Sequence, residues 1–216
     1  MNLAVGTGLL DFEALDRAAV ATTPFPYMVA EGVVHDRDLE MVRDDFPPIT
    51  QPGVFPVSGL RYGPAFERLV EAIRSRDLEA LLERKFGVTL AGKPLMVTVR
   101  GRAQRRDGRI HTDSKDKFLT CLLYLNDRHW MAEGGRLRLL RGPDDLDDMI
   151  AEVSPSGGTF LAFLRTDRSW HGHEIFEGER RSIMFNWLVS EAALTKNLAR
   201  HKLSATVKRL VGHHGG

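Results

Sequence analysis

The stretch R-I-H-T-D-S-K-D-K-F-L-T-C-L-L-Y-L-N, Arg109 to Asn126, decides how this chain is read. It places His111 and Asp113 two residues apart, directly before an apolar run of strand-forming residues. Side chains alternate faces along a strand, so the two are expected to point the same way from one strand. Sixty residues downstream, S-W-H-G-H brings His171. A third ligand from a neighbouring strand would complete a set of two imidazoles and one carboxylate. Each residue also has an ordinary explanation, because buried histidines often satisfy backbone groups and an Asp beside a turn often caps it. Two histidines and a carboxylate on one face of an octahedron leave three positions open, which is the ligand set of non-haem Fe(II) oxygenases. Zinc fits the same donors.

The residues around the set extend the pattern. Thr120 to Asn126 reads T-x-L-L-Y-L-N, Gly134-Gly135-x-Leu137 follows, and Pro155-x-Gly157 leads into Phe160-Leu161-Ala162-Phe163. His171, Gly178, Arg181 and Trp187 close the block. In that order the chain resembles the Fe(II)/2-oxoglutarate-dependent dioxygenase superfamily, above all its prolyl-4-hydroxylase-like branch, over roughly residues 95–189. The entry P-F-P-Y-M-V-A-E-G-V-V, starting at Pro24, resembles the lead-in of the same enzymes.

The resemblance implies Fe(II) held by His111, Asp113 and His171, bidentate 2-oxoglutarate as cosubstrate, and O₂ at the last position. It also implies a basic residue nine to eleven places after the last histidine and six before a tryptophan, to anchor the far carboxylate of 2-oxoglutarate. Arg181 meets both conditions and is the favoured anchor. Arg180 is its rival, and strand alternation lets only one of them face inward. A guanidinium suits the task because it grips a carboxylate through two parallel hydrogen bonds. Tyr124, whose hydroxyl this branch can place on the same carboxylate, shares a face with Thr120 and Leu122. Thr120 is expected in the pocket wall. His173 is a rival ligand with poorer spacing. Arg100 stands on a strand where the branch often carries a tyrosine. With Arg102, Arg105, Arg106 and Arg109 it forms a basic group that hints at an anionic substrate, although a solvated basic loop is the commoner explanation.

Composition supports one soluble unit. The 216 residues include 43% hydrophobic positions, enough for a sizeable core. A net charge of +1 gives no whole-chain reason to expect nucleic acid or a membrane surface. One cysteine, Cys121, excludes an intrachain disulfide, and no signal-peptide or spanning pattern is visible, so a cytoplasmic protein is expected. The reading is a single oxygenase domain over 1–216. It has a helical N-terminal part over about 1–92, a catalytic core over about 93–190 and a C-terminal helix over about 191–210. The fold class is mainly β with flanking helices, a double-stranded β-helix (jelly roll).

Within it, Asp11 is expected to cap a short helix, Tyr27–Val34 to be a strand and Asp36 to open a helix. Residues 49–62 should be a loop and 63–86 two amphipathic helices with a break at Ser75-Arg76-Asp77. Residues 143–153 are expected to make a helical turn whose aspartates form a solvated face, and the C-terminal end at His213 to be disordered. The activity implied is hydroxylation of an unactivated C–H bond in a peptidyl substrate, prolyl residues among the targets, or in a small molecule or sugar. A cupin-type metalloenzyme without 2-oxoglutarate and a non-catalytic jelly-roll module are the alternatives.

Overall fold

The computed structural model describes residues 8–200. Among the described residues, ten strands form two antiparallel sheets. The larger has the order β1 (Val20–Ala21), β2 (Tyr27–Ala30), β8 (Phe160–Leu164), β5 (Lys117–Tyr124), β10 (Gly178–Leu188), β4 (Leu95–Ala103) and β3 (Phe55–Pro56). The smaller runs β7 (Met149–Val153), β6 (Leu137–Leu140), β9 (His171–His173). The central neighbours of the larger sheet, from β2 through β8, β5 and β10 to β4, are distant in sequence, as the jelly roll requires. The predicted fold class therefore holds.

Alternation along the central strands divides the molecule. On β10, Ile183, Phe185 and Trp187 face a core they share with Leu119, Cys121 and Leu123 of β5 and Val97 and Val99 of β4. Four helices close that side: α1 (Phe12–Arg17), α2 (Asp36–Asp44), α3 (Pro64–Ile73) and α4 (Arg76–Phe86). Phe66, Leu69, Ile73, Leu78 and Leu82 are fully buried on their inner faces. Each such side chain stabilises the fold by about 1.5–3 kcal/mol relative to exposure. The helix starts follow capping chemistry. Asp11 Oδ1 accepts from Ala14 N at 2.8 Å, and Ser75 Oγ accepts from Leu78 N at 3.2 Å. Gly87, at φ +64°, ends α4 in the left-handed conformation that a side chain would resist. The other face of the large sheet looks toward the small sheet, where Tyr124, Leu137, Leu139, Leu161 and Phe163 pack together.

Two expectations about local structure are corrected. Residues 143–148 contain no helix, and the segment leads into β7, which pairs with β6 as a hairpin. The aspartates explain this. Arg141 and Asp148 form an ion pair at 2.7 Å across the turn, and Arg138 reaches Asp147 at 2.7 Å. Asp145 Oδ1 accepts from Asp147 N at 2.8 Å, which offers the backbone a turn in place of a helix. Residues 49–62 are not wholly loop, because β3 and a 3-10 turn at Val57–Gly59 lie within them. Residues 191–200 are helical, and the expectations for 201–216 fall outside the described residues.

Candidate metal and cosubstrate site

His111 and Asp113 lie in the β4–β5 connection and not on a regular strand. A single antiparallel bridge to His171 holds this segment, with His111 N and His171 N each donating to the other's carbonyl at 3.0 Å. The outcome matches what alternation would have given: ligand atoms of His111, Asp113 and His171 all lie within 4.8 Å of one another. The two imidazole rings stand 4.3 Å apart between centroids.

Protons are arranged as a metal needs. His111 Nδ1 lies 2.8 Å from the Arg109 carbonyl and His171 Nδ1 lies 2.9 Å from the Ser169 carbonyl. A carbonyl only accepts, so both Nδ1 atoms carry hydrogen and both Nε2 lone pairs are free to coordinate. Burial lowers the His171 pKa to about 4, which keeps the ring neutral and ligand-ready at neutral pH. Burial alone would raise the Asp113 pKa, but Lys117, His171 and Thr120 together outweigh it and hold the carboxylate at about 2. Lys117 Nζ donates to Asp113 Oδ1 at 2.8 Å and Thr120 Oγ1 donates to Oδ2 at 2.6 Å. Thr120 Oγ1 also lies 2.9 Å from Asn186 Oδ1, while buried Asn186 Nδ2 has no partner. One hydroxyl proton cannot serve two acceptors. Turning the Asn186 amide about its Cβ–Cγ bond lets its NH₂ donate to Thr120, which satisfies both groups.

These residues open onto a cavity of about 370 Å³ between the sheets. Its wall is the inner face of three strands: Thr120 and Leu122 of β5, Met96, Thr98 and Arg100 of β4, and the even-numbered residues of β10 from Arg180 to Asn186. Arg180 is 4% exposed. Its Nε donates to the Gly135 carbonyl at 2.8 Å and its Nη2 to the Tyr124 hydroxyl at 3.1 Å. Among the described residues it has no carboxylate partner.

Arg181, the favoured anchor, does not face this cavity. Its guanidinium lies 5.2 Å from the Phe46 ring centroid, donates to the Arg43 carbonyl at 3.0 Å and pairs with Glu179 at 2.9 Å. The physical reason is parity. Arg181 shares a face with Ile183, Phe185 and Trp187, which turn toward the helices. A β-bulge sits here too: Glu179 opposes Arg102 and Ser182 opposes Arg100, leaving residues 180 and 181 opposite Gly101 alone. The signal was present in the odd-numbered apolar residues of β10, against polar Ser182 and Asn186. Spacing from His171 and Trp187 overrode it.

Other expectations divide. Thr120 lines the cavity, and Tyr124 is fully buried with its hydroxyl on Arg180. Arg100 enters the cavity lining and Arg102 does not. His173 lines the cavity but stands outside the metal-capable group, with Nδ1 donating to the Glu174 carbonyl at 2.7 Å. Trp187 and Cys121 are core residues. Lys117 is the contributor that the sequence reading missed, although its position four residues after Asp113 was available.

A mainly antiparallel jelly roll with two histidines and a carboxylate converging on an internal cavity defines the class of metal-dependent oxygenases of this fold. Residues 101–189 match the model of the 2OG-Fe(II) oxygenase superfamily, so this part of the chain is similar to the 2-oxoglutarate- and Fe(II)-dependent dioxygenases. Solved structures share the fold. A prolyl-4-hydroxylase of Pseudomonas putida is 16% identical, with a TM-score of 0.51 over 75% of this chain and 92% of that one. A prolyl 4-hydroxylase of Phytophthora capsici is 17% identical, with a TM-score of 0.52 over 75% and 58%. HygX of Streptomyces hygroscopicus, solved with nickel and 2-oxoglutarate bound, is 15% identical, with a TM-score of 0.51 over 76% and 83%. A search of curated proteins finds no relative by sequence. Among the described residues, no helix is long and apolar enough to cross a membrane.

Proposed function

We propose that this enzyme hydroxylates an unactivated C–H bond of a peptidyl or small-molecule substrate, with His111, Asp113 and His171 holding Fe(II) and Arg180 anchoring 2-oxoglutarate. The observation that carries the reading is buried Arg180, a cation without a carboxylate, lining the same cavity as the three ligands. A buried guanidinium is costly unless an anion meets it, and a dicarboxylate cosubstrate supplies one. A cupin-type enzyme working without 2-oxoglutarate has no use for it.

The iron, when bound with its cosubstrate, supplies the oxygen activation. The chain's own residues do the positioning. Carbonyls 109 and 169 orient the two imidazoles, and Lys117 and Thr120 hold the Asp113 carboxylate. The Tyr124 hydroxyl and the Gly135 carbonyl aim Arg180. The apolar wall of Met96, Leu122, Leu137 and Met184 limits water around the reacting centre.

Anaerobic addition of 2-oxoglutarate to the Fe(II)-loaded protein tests this. A visible metal-to-ligand charge-transfer band is expected, and Arg180→Ala should raise the 2-oxoglutarate concentration needed for it by roughly two orders of magnitude, the loss of about 3 kcal/mol. No band in iron-bound wild type would overturn the reading in favour of the cupin-type enzyme.

A further inference from the structure

The cavity is far more basic than the chain that forms it. The whole chain carries a net charge of +1. Arg100, Arg106, Arg109, Lys117, Arg180 and Arg200 line the cavity against two carboxylates, Asp107 and Asp113, an excess of four positive charges. Fe(II) and the dianion of 2-oxoglutarate cancel each other, so filling the site leaves that excess in place.

The cations are not equivalent. Lys117 is committed to Asp113 and Arg180 is assigned to the cosubstrate. Arg100 pairs with Asp107 at 2.6 Å, and this pair has a structural consequence. Asp107 Oδ2 also accepts from Gln104 N at 3.2 Å, so the ion pair folds residues 104–109 back over the cavity. The Gly108 carbonyl then accepts from His173 N at 2.9 Å and pins the loop to β9. Gly108 has φ +90°, and a Cβ there would stand 2.5 Å from the His173 carbonyl, so the close approach needs glycine. The pinned loop presents Arg106 and Arg109 at the mouth. Both are exposed, and neither makes an ion pair among the described residues.

We infer that the substrate is a small molecule bearing an anionic group, a phosphate or a carboxylate, received by Arg106 and Arg109 as its reacting carbon enters toward the metal. The inference rests on the metal and cosubstrate reading above. It favours a small acid because about 370 Å³ must hold both cosubstrate and substrate. A cavity with focused positive potential also draws such a molecule in faster from solution.

The test uses the anaerobic Fe(II)- and 2-oxoglutarate-loaded protein. Formation of the charge-transfer band is checked first, so failure of the underlying reading appears before any anion is added. Inorganic phosphate and acetate are then titrated calorimetrically against chloride at equal ionic strength. At least one should bind with 2-oxoglutarate still in place. Its affinity should fall at least tenfold in the Arg106→Ala/Arg109→Ala variant and recover in Arg106→Lys/Arg109→Lys. The band and its 2-oxoglutarate dependence should be unchanged in the single variants Arg106→Ala and Arg106→Lys, which leave residue 109 and its carbonyl beneath His111 untouched. Equal affinity in wild type and the alanine variant, no binding of either anion, or displacement of 2-oxoglutarate by the probe would each overturn the inference. So would a short single-stranded oligonucleotide that bound a thousandfold tighter than phosphate and lost that affinity in the alanine variant, because the arginines would then form a polyanion surface.

Discussion

The two ends of the cavity are built on opposite principles. At the metal end the supporting contacts are already made: both imidazole Nδ1 atoms rest on carbonyls, and both oxygens of Asp113 accept a hydrogen bond. At the other end Arg180 is buried with only a carbonyl and a hydroxyl for company. The difference follows from what each end awaits. Metal ligands must hold one geometry in the absence of the ion, and their supporting contacts supply that rigidity. An anion anchor must keep its charge unspent until the ligand arrives. The proposed metal ligands are therefore held by hydrogen bonds already in place, while the proposed anchor keeps its charge without a carboxylate partner among the described residues.

The largest effect should come from removing a metal ligand. His171→Ala is expected to abolish iron-dependent 2-oxoglutarate turnover while thermal unfolding shifts only a few degrees, since the backbone bridge to His111 and the pairing to Leu139 do not use the ring. Wild-type turnover in this variant would remove His171 from the metal centre.

A supporting contact should matter less than a ligand. Lys117→Met keeps most of the unbranched apolar stem but leaves Asp113 Oδ1 without its donor. Iron affinity is expected to fall about ten- to a hundredfold, the usual range for loss of a group that orients a ligand. Thr120→Val, which removes the partner of Oδ2, should fall in the same range, and the 2-oxoglutarate dependence at saturating iron should hardly move in either. If Lys117→Met weakened 2-oxoglutarate binding and left iron affinity unchanged, the lysine would belong to the anchor end, and the contrast between the two ends would fail.

The same contrast explains what could be read from the residues. The convergence of the candidate ligands was legible because its signature is local and discrete, His111 and Asp113 two apart with His171 following inside the small sheet. The jelly roll was legible for a related reason: short β-rich runs separated by turn residues leave few other arrangements. The cavity-facing arginine was harder, since one position along β10 moves a side chain from cavity to helix layer. The apolar parity of Ile183, Phe185 and Trp187 carried the answer, but a count of residues from a histidine does not register which face a strand buries. Residues 143–148 failed differently. Their aspartates resemble a helix start until Arg138 and Arg141, on the neighbouring strand and turn, provide partners that only tertiary structure reveals.

Arg181→Ala should produce the smallest effect, and it sharpens the comparison most. The Arg181 side chain spans the outer side of the sheet, where its guanidinium covers Phe46 and bonds the Arg43 carbonyl at the end of α2. Its ion pair with Glu179 is partly solvated on the glutamate side and contributes little. Truncation should cost about 1 kcal/mol of stability through lost packing and one hydrogen bond. The 2-oxoglutarate concentration for half-maximal turnover should stay within about twofold of wild type, well under the roughly 1.4 kcal/mol that a tenfold change represents. Measured beside Arg180→Ala, the pair of variants separates position on the strand from position in the sequence. Two adjacent arginines of equal charge should differ by about two orders of magnitude in cosubstrate affinity, because alternation sends one into the cavity and the other beneath the helices. A 2-oxoglutarate requirement raised as much by Arg181→Ala as by Arg180→Ala would mean that the side chains exchange faces when the cosubstrate binds, and the anchor would then be a property of the bulge and not of Arg180 alone.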